Sequence, residues 1–154
     1  FEPRKNQLRV IEALKEMPYT VTFAGDASPN HQAYYQACRD AAGPGMRFLA
    51  FACPEEVAAL YRRLEVHILA SWFETTGLST LEAQACGCKV VISNKGDTEE
   101  YFGKQAFYCD PGDVQSIRDA VERAIALSHD TYCSASIMLA KTAEITTSFD
   151  LIET

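Results

Sequence analysis

Two glutamates, Glu74 and Glu82, are the residues of this sequence best placed to do chemistry. They lie in the segment "FETTGLSTLEAQACG" (residues 73–87), where flanking apolar runs predict a strand on each side of a short helix that begins near Gly77. The unpaired amides of a helix N-terminus suit a phosphate, and two carboxylates at different depths suit two sets of hydroxyl groups. Glutamates near helix starts are also common on solvated surfaces, because they complement the helix dipole.

The elements that must position these glutamates alternate along the chain. Apolar strand patterns in "YTVTFAG", "MRFLAFA", "VHILAS", "KVVIS" and "AFYC" are separated by helical patterns, one of which starts at Pro54 and another after a capping Asp113. Because the strands are almost continuously apolar, we predict an α/β fold, a Rossmann-like doubly wound parallel sheet with helices on both faces. Ligands of such folds bind at the carboxyl ends of the strands, where residues 73–87 begin.

Length and composition predict one domain, residues 1–154, with residues 131–154 as a C-terminal helical segment. The formal net charge of −7 argues against a nucleic-acid partner. We find no apolar stretch of the roughly 20 residues that a membrane span needs and no signal peptide, and we expect a cytoplasmic location. The six cysteines lack the C-x-x-C spacing of a zinc site, so we expect buried free thiols and no metal. His67, inside a strand pattern, is expected to be a packed core residue.

The segment resembles the signature of retaining glycosyltransferases of the GT-B architecture, of the group 1 or family 4 type. The matching residues are Glu74, Gly77, Leu78, Leu81, Glu82, Ala83, Ala85, Cys86, Gly87, Val90 and Val91. The stretches "PRKNQLRVIEAL", "VTFAGDA", "EEVAALYRRLEVHILAS" and "AFYCDPGDVQSIRDAVERAI" are also similar to successive parts of that family. The resemblance covers nearly the whole chain.

The resemblance implies a role for each matching position. Lys5, with Arg4, would meet the diphosphate of a nucleotide sugar, Glu82 would hold the ribose hydroxyls, and Glu74 would touch the donor sugar. Lys5 and Glu74 would be the catalytic residues. The remaining contacts implied are the amides of Thr75, Thr76, Gly77, Leu78 and Ser79, a close approach of the ligand at Gly25, and the base along Phe51, Ala52 and Cys53.

The implied function is that of the donor-binding half of a retaining, metal-independent enzyme without a cofactor. Its substrate would be a UDP-sugar or GDP-sugar; the choice stays open because Ala50 and "TTG" at residues 75–77 depart from the family pattern. A glycan or lipid-linked acceptor would bind through a separate N-terminal domain, in polysaccharide biosynthesis at the cytoplasmic membrane face, and this part alone would bind without transferring. The alternatives are half of a nucleotide-sugar epimerase and a non-catalytic Rossmann-like interaction domain.

The resemblance also implies a strand between "YTVTFAG" and "VHILAS" that the first residues of this sequence do not supply. We expect residues upstream of Phe1 or another chain to fill that position, or the sheet to close over it. Because the family's arginine would precede Lys5 there, we also expect weak nucleotide binding, roughly high micromolar to millimolar.

Overall fold

The computed structural model describes residues 1–50, 53–139 and 150–153. The helices are α1 (Gln7–Leu14), α2 (Gln32–Ala41), α3 (Pro54–Tyr61), α4 (Leu78–Ala85), α5 (Thr98–Phe102) and α6 (Val114–Leu139), with short 3₁₀ turns at Pro3–Lys5, Pro29–His31 and Gly103–Gln105. The strands are β1 (Thr20–Ala24), β2 (Met46–Leu49), β3 (Val66–Leu69), β4 (Lys89–Ser93), β5 (Ala106–Cys109) and β6 (Asp150–Glu153).

These strands form one parallel sheet in the order β2-β1-β6-β3-β4-β5. Alternate residues of a strand point to opposite faces, and strands β1, β3 and β4 bury consecutive residues, so both faces are covered along these strands. Val91 of β4 joins the large apolar cluster with α1 and α6, whereas its neighbours Val90 and Ile92 pack with Phe102 of α5 on the other side. The predicted Rossmann-like α/β fold is confirmed.

The middle of the sheet contradicts one expectation. Strand β6 lies between β1 and β3, with Asp150 opposite Thr20 and Glu153 opposite both Phe23 and Ile68. Residues 150–153 therefore fill the position, and the expectation that upstream residues, another chain or closure of the sheet would fill it is wrong. The physical reason is that an empty position would leave backbone groups of two strands unpaired, at about 1–3 kcal/mol each when buried.

The same strand corrects the prediction for residues 131–154. Helix α6 continues to Leu139, residues 140–149 lie outside the described part, and Asp150–Glu153 form a strand where helix was expected. No helix among the described residues is long and apolar enough to cross a membrane.

Local signals place the elements around the site. The Asp113 carboxylate accepts a hydrogen bond from the N–H of Gln115 at 2.9 Å and caps α6 as predicted. Helix α3 begins at Pro54, and α4 begins directly after Gly77, whose φ of +66° favours glycine. Both α3 and α4 therefore start at the edge of the sheet where the strands end.

Candidate functional site

A cavity of about 850 Å³ lies at this carboxyl edge, among the Pro3–Lys5 turn, the end of β1, and helices α3 and α4. Helix α3 contributes apolar and aromatic residues to the wall, and the charged lining residues are Glu2, Lys5 and Asp26, together with Glu82 on α4. The described lining residues are Phe1, Glu2, Lys5, Gln7, Ala24, Gly25, Asp26, Ser28, His31, Pro54, Val57, Ala58, Tyr61, Ser79, Glu82, Ala85 and Cys86.

The cavity brings together part of the site that the sequence predicts. Lys5, Gly25, Ser79 and Glu82 line it, although they come from three parts of the fold: the Pro3–Lys5 turn, the loop after β1, and α4. The predicted residues outside the described wall are Arg4, Cys53, Glu74, Thr75, Thr76, Gly77 and Leu78. Phe51 and Ala52, expected beside the base, lie outside the described residues.

Lys5 is held in place by its neighbour Asn6, which the sequence analysis missed. Asn6 has a φ of +66° and is 4% exposed. Its side-chain amide donates to the carbonyls of Ala70 at 3.0 Å and Pro111 at 2.9 Å, which ties the turn to the ends of two strands. Asparagine tolerates the left-handed conformation better than most residues. An asparagine between a basic pair and a helix was therefore the sequence signal that could have predicted this turn.

Lys5 and Glu74 form an ion pair. The Lys5 ammonium lies 3.0 Å from Oε2 of Glu74, and the nearer guanidinium nitrogen of Arg4 lies 3.6 Å from the same oxygen. Arg4 also pairs with Glu2 at 2.8 Å and donates to the carbonyl of Phe73 at 3.1 Å. The two residues predicted to be catalytic are thus in direct contact.

The backbone of Glu74 is fixed by the loop after β4. Its N–H donates to the carbonyl of Lys95 at 3.2 Å, and its own carbonyl accepts the N–H of Asp97 at 3.0 Å. Gly96 sits between these two bonds, and a Cβ added there would lie only 2.0 Å from the Glu74 carbonyl oxygen. Gly96 is a second positioning residue that the sequence analysis missed.

The start of α4 carries backbone N–H groups that could bind an anion. Among the described residues, no acceptor pairs with the amides of residues 75–79, whereas the carbonyl of Gly77 accepts the amides of Thr80 and Leu81. The positive end of the helix dipole lies at the same place. Ser79, in the first turn, reaches the cavity wall.

Glu82 differs from Glu74 in its surroundings. It is exposed on α4 and lines the cavity, and its carboxylate forms no ion pair or hydrogen bond with the described residues. Its carboxylate is therefore available to accept hydrogen bonds from a ligand. Gly25, across the cavity, has a φ of +132° and open space where a side chain would stand.

Gln7 adds a polar atom to the cavity that the sequence analysis also missed. The residue is 4% exposed and lines the cavity, and its side-chain carbonyl oxygen has no hydrogen-bond partner in the described part of the chain. A buried acceptor without a partner is costly, and a ligand donor would remove that cost.

His67 lies behind the site as a packed core residue, as predicted. Its ring packs against Tyr61, and Nε2 lies 3.1 Å from Oγ1 of Thr80 on α4. Burial lowers the pKa of His67 to about 3, with a smaller contribution from the charge of Lys5. The imidazole is therefore neutral at ordinary pH and joins β3 to α4.

The free cysteines have mixed surroundings. Cys38, Cys88 and Cys109 are buried as predicted, whereas Cys53 is exposed and Cys86 is half-buried at the cavity wall. Burial raises the pKa of Cys88 to about 11, which keeps that thiol protonated and unreactive.

Comparison of this sequence with known proteins identifies its family. The family model for Glycosyl transferases group 1 matches residues 1–126. O-antigen chain mannosyltransferase B of Escherichia coli is 29% identical over 124 residues, which are 76% of this chain and 32% of the relative. Glycogen synthase of Mycobacterium tuberculosis (strain CDC 1551 / Oshkosh) is 32% identical over 108 residues, 69% of this chain and 26% of the relative. The chain thus spans about a third or less of these relatives.

Solved structures share the fold of this chain. The C-terminal domain of the group 1 glycosyl transferase LpcC from Francisella tularensis superposes with a TM-score of 0.71 at 26% identity, over 82% of this chain and 71% of that one. Anabaena HepE in complex with UDP-glucose gives a TM-score of 0.73 at 22% identity, over 92% of this chain and 46% of that one. The chain therefore belongs to group 1 of the glycosyl transferases.

Proposed function

We propose that this chain is the donor-binding domain of a retaining, metal-independent glycosyltransferase and that its cavity takes a UDP-sugar or GDP-sugar. The observation that carries the proposal is the meeting of three groups around one cavity: Lys5, Ser79 with its unpaired amide in the first turn of α4, and Glu82, whose carboxylate has no partner among the described residues. A cation and helix amides suit a diphosphate, and a carboxylate suits the adjacent hydroxyl groups of a ribose.

The proposed pose follows the chemistry of the wall. The ribose hydroxyl groups donate hydrogen bonds to Glu82, and the diphosphate lies between Lys5 and the start of α4. The base lies toward the start of α3. The apolar residues Pro54 and Val57 border that end of the cavity. The sugar then extends toward Glu74, which lies beyond Lys5.

The chemical task of this domain is to stabilise the departing nucleoside diphosphate. When the bond between the sugar and the diphosphate breaks, the leaving oxygen takes the electron pair. Lys5, with Arg4, and the α4 amides supply positive charge and donors for the oxygens of the leaving group. Oriented donors of this kind provide the charge stabilisation that a metal ion provides in other phosphate chemistry.

The full reaction needs an acceptor, which we assign to a separate domain of a longer enzyme. The similarity to O-antigen chain mannosyltransferase B of Escherichia coli supports a role in polysaccharide biosynthesis. The HepE complex with UDP-glucose supports a nucleotide sugar as the donor for this fold. A cytoplasmic location, with a glycan or lipid-linked acceptor at the membrane face, stays a prediction, as does the inability of this domain alone to transfer.

Calorimetric titration of the chain with UDP, GDP and their glucose and mannose derivatives tests the proposal. We expect binding of one nucleotide series, and Glu82→Ala should weaken it by about 1–3 kcal/mol because the ribose loses its acceptor. Glu122→Ala, an exposed change on α6 outside the cavity wall, is the control and should bind as the original does. No heat with either series, from a protein that melts cooperatively, would favour the interaction-domain alternative.

A further inference from the structure

Both cations of the diphosphate site are already paired with carboxylates of the protein. Lys5 is paired with Glu74 at 3.0 Å, and Arg4 with Glu2 at 2.8 Å. The side chains of Lys5 and Glu74 are only 22% and 10% exposed, whereas those of Arg4 and Glu2 are 48% and 36% exposed. Water therefore screens the Lys5–Glu74 pair less than the other one.

Glu74 cannot leave Lys5 by a backbone movement at low cost. Its N–H and carbonyl are bonded to Lys95 and Asp97, and Gly96 packs against the same carbonyl. A diphosphate that takes Lys5 must therefore displace the carboxylate by a side-chain rotation of Glu74 or of Lys5. A carboxylate that loses its cation inside a partly buried site needs a new hydrogen-bond donor.

We propose that Glu74 is the internal counter-ion of Lys5 and that it discriminates a nucleotide sugar from a free nucleoside diphosphate. This inference rests on the proposed function. A free diphosphate competes with Glu74 for Lys5 and supplies no hydrogen-bond donor to the displaced carboxylate. A nucleotide sugar offers the hydroxyl groups of its sugar, so Glu74 exchanges one partner for another.

The same exchange favours release of the product. After the sugar has left, Glu74 loses its hydroxyl partners and returns to Lys5, which weakens the hold of Lys5 on the remaining diphosphate. Glu74 thus increases the difference in affinity between the nucleotide-sugar substrate and the nucleoside diphosphate product.

The test compares the original chain with Glu74→Gln, which keeps the shape of the side chain and removes its charge. The probes are inorganic pyrophosphate, UDP and GDP, and the matching glucose and mannose derivatives, titrated by calorimetry. The control is Glu12→Gln, which makes the same charge change and frees Arg9 from an exposed pair at 3.0 Å. Glu12 and Arg9 are outside the described cavity wall.

We expect Glu74→Gln to bind pyrophosphate at least about threefold more tightly than the original chain, because the Glu74 carboxylate, which is little exposed to water, no longer competes with the anion for Lys5. The preference for the nucleotide sugar over the nucleotide should fall by a similar factor. Glu12→Gln should change neither. Thermal melts of all three proteins show whether the fold is retained.

Equal or weaker pyrophosphate binding by Glu74→Gln would overturn the inference, and so would an equal gain in Glu12→Gln. Absence of pyrophosphate binding to every variant would also overturn it, because Lys5 would then not be an anion site. Failure of the proposed function looks different: UDP and GDP would bind no more tightly than pyrophosphate, and Glu82→Ala would have no effect. That result would exclude discrimination between the nucleotide sugar and the nucleotide. A gain in the pyrophosphate affinity of Glu74→Gln would still support the role of Glu74 as counter-ion of Lys5.

Discussion

Gly96 offers a sharp test of how the loop after β4 positions Glu74. Its φ is +96°, and a Cβ there would lie 2.0 Å from the carbonyl oxygen and 2.8 Å from the carbonyl carbon of Glu74. Gly87, at the end of α4, has almost the same φ, +99°, but a Cβ there would meet nothing within 4 Å. Gly87→Ala therefore measures backbone strain alone, and Gly96→Ala measures strain together with the clash.

The expected magnitudes follow from these contacts. An alanine at either position pays a strain of about 1–3 kcal/mol, and this part cancels in the comparison. At Gly96 the clash also disrupts the two backbone hydrogen bonds of Glu74, which are worth about 1–3 kcal/mol together. Gly96→Ala should therefore lower the free energy of unfolding by about 1–3 kcal/mol more than Gly87→Ala does.

Urea unfolding followed by circular dichroism gives the stability difference, and calorimetry with the preferred nucleotide sugar gives its consequence for binding. For a chain of this size the extra loss is a fall in Tm of about 2–4 °C per kcal/mol. We expect Gly96→Ala, but not Gly87→Ala, to lose affinity for the nucleotide sugar because Glu74 has moved. Equal destabilisation and equal affinity in the two variants would show that the loop does not hold Glu74 in place.

Three further outcomes test other parts of the site. Asn6→Ala should lose about 1–2 kcal/mol more unfolding free energy than Asn6→Gly, because both lose the side-chain bonds but only alanine is strained at this φ; equal urea midpoints would contradict this. Gln7→Leu should leave stability unchanged or raised while nucleotide affinity falls, since it removes the unpartnered oxygen; unchanged affinity by calorimetry would exclude a ligand contact. The free energy of unfolding should fall as the pH drops from about 6.5 toward 3, because His67 binds a proton in the unfolded chain but stays neutral when it is buried. At pH 5 the loss is about 2 kcal/mol. Urea titrations at several pH values should show no such slope for His67→Leu.

Local patterns were enough to predict the α/β architecture and the place of residues 73–87. Continuously apolar strands, Pro54 and Gly77 at helix starts, and Asp113 as a cap each act within a few residues, and the structure confirms each. Strand β6 was beyond reach because its four residues, "DLIE", carry a weak local preference. Its pairing with β1 and β3 decides its conformation.

The site shows the same division between local and long-range information. The spacing of Glu74 and Glu82 is visible in the sequence, but the contact of Glu74 with Lys5 joins residues 69 positions apart. The hydrogen bonds of Asn6 to Ala70 and Pro111 join residues 64 and 105 positions apart. Long-range polar contacts depend on the completed sheet, and no periodicity in one segment reports them.

Glu74 and Glu82 differ in their surroundings, and on the proposed function this difference explains how an acidic chain would bind a polyanion. The formal net charge is −7, so the long-range field opposes a diphosphate. Glu82 lies on the exposed face of α4, and its carboxylate, which has no partner in the described part of the chain, can accept hydrogen bonds from ligand hydroxyl groups. Glu74 is 8% exposed and already paired, so its charge is balanced by Lys5 before any ligand arrives. A diphosphate must therefore obtain its binding energy from the amides of α4 and from a lysine that it shares. Affinity for the nucleotide alone should remain modest, because only a ligand with a sugar satisfies both carboxylates at once.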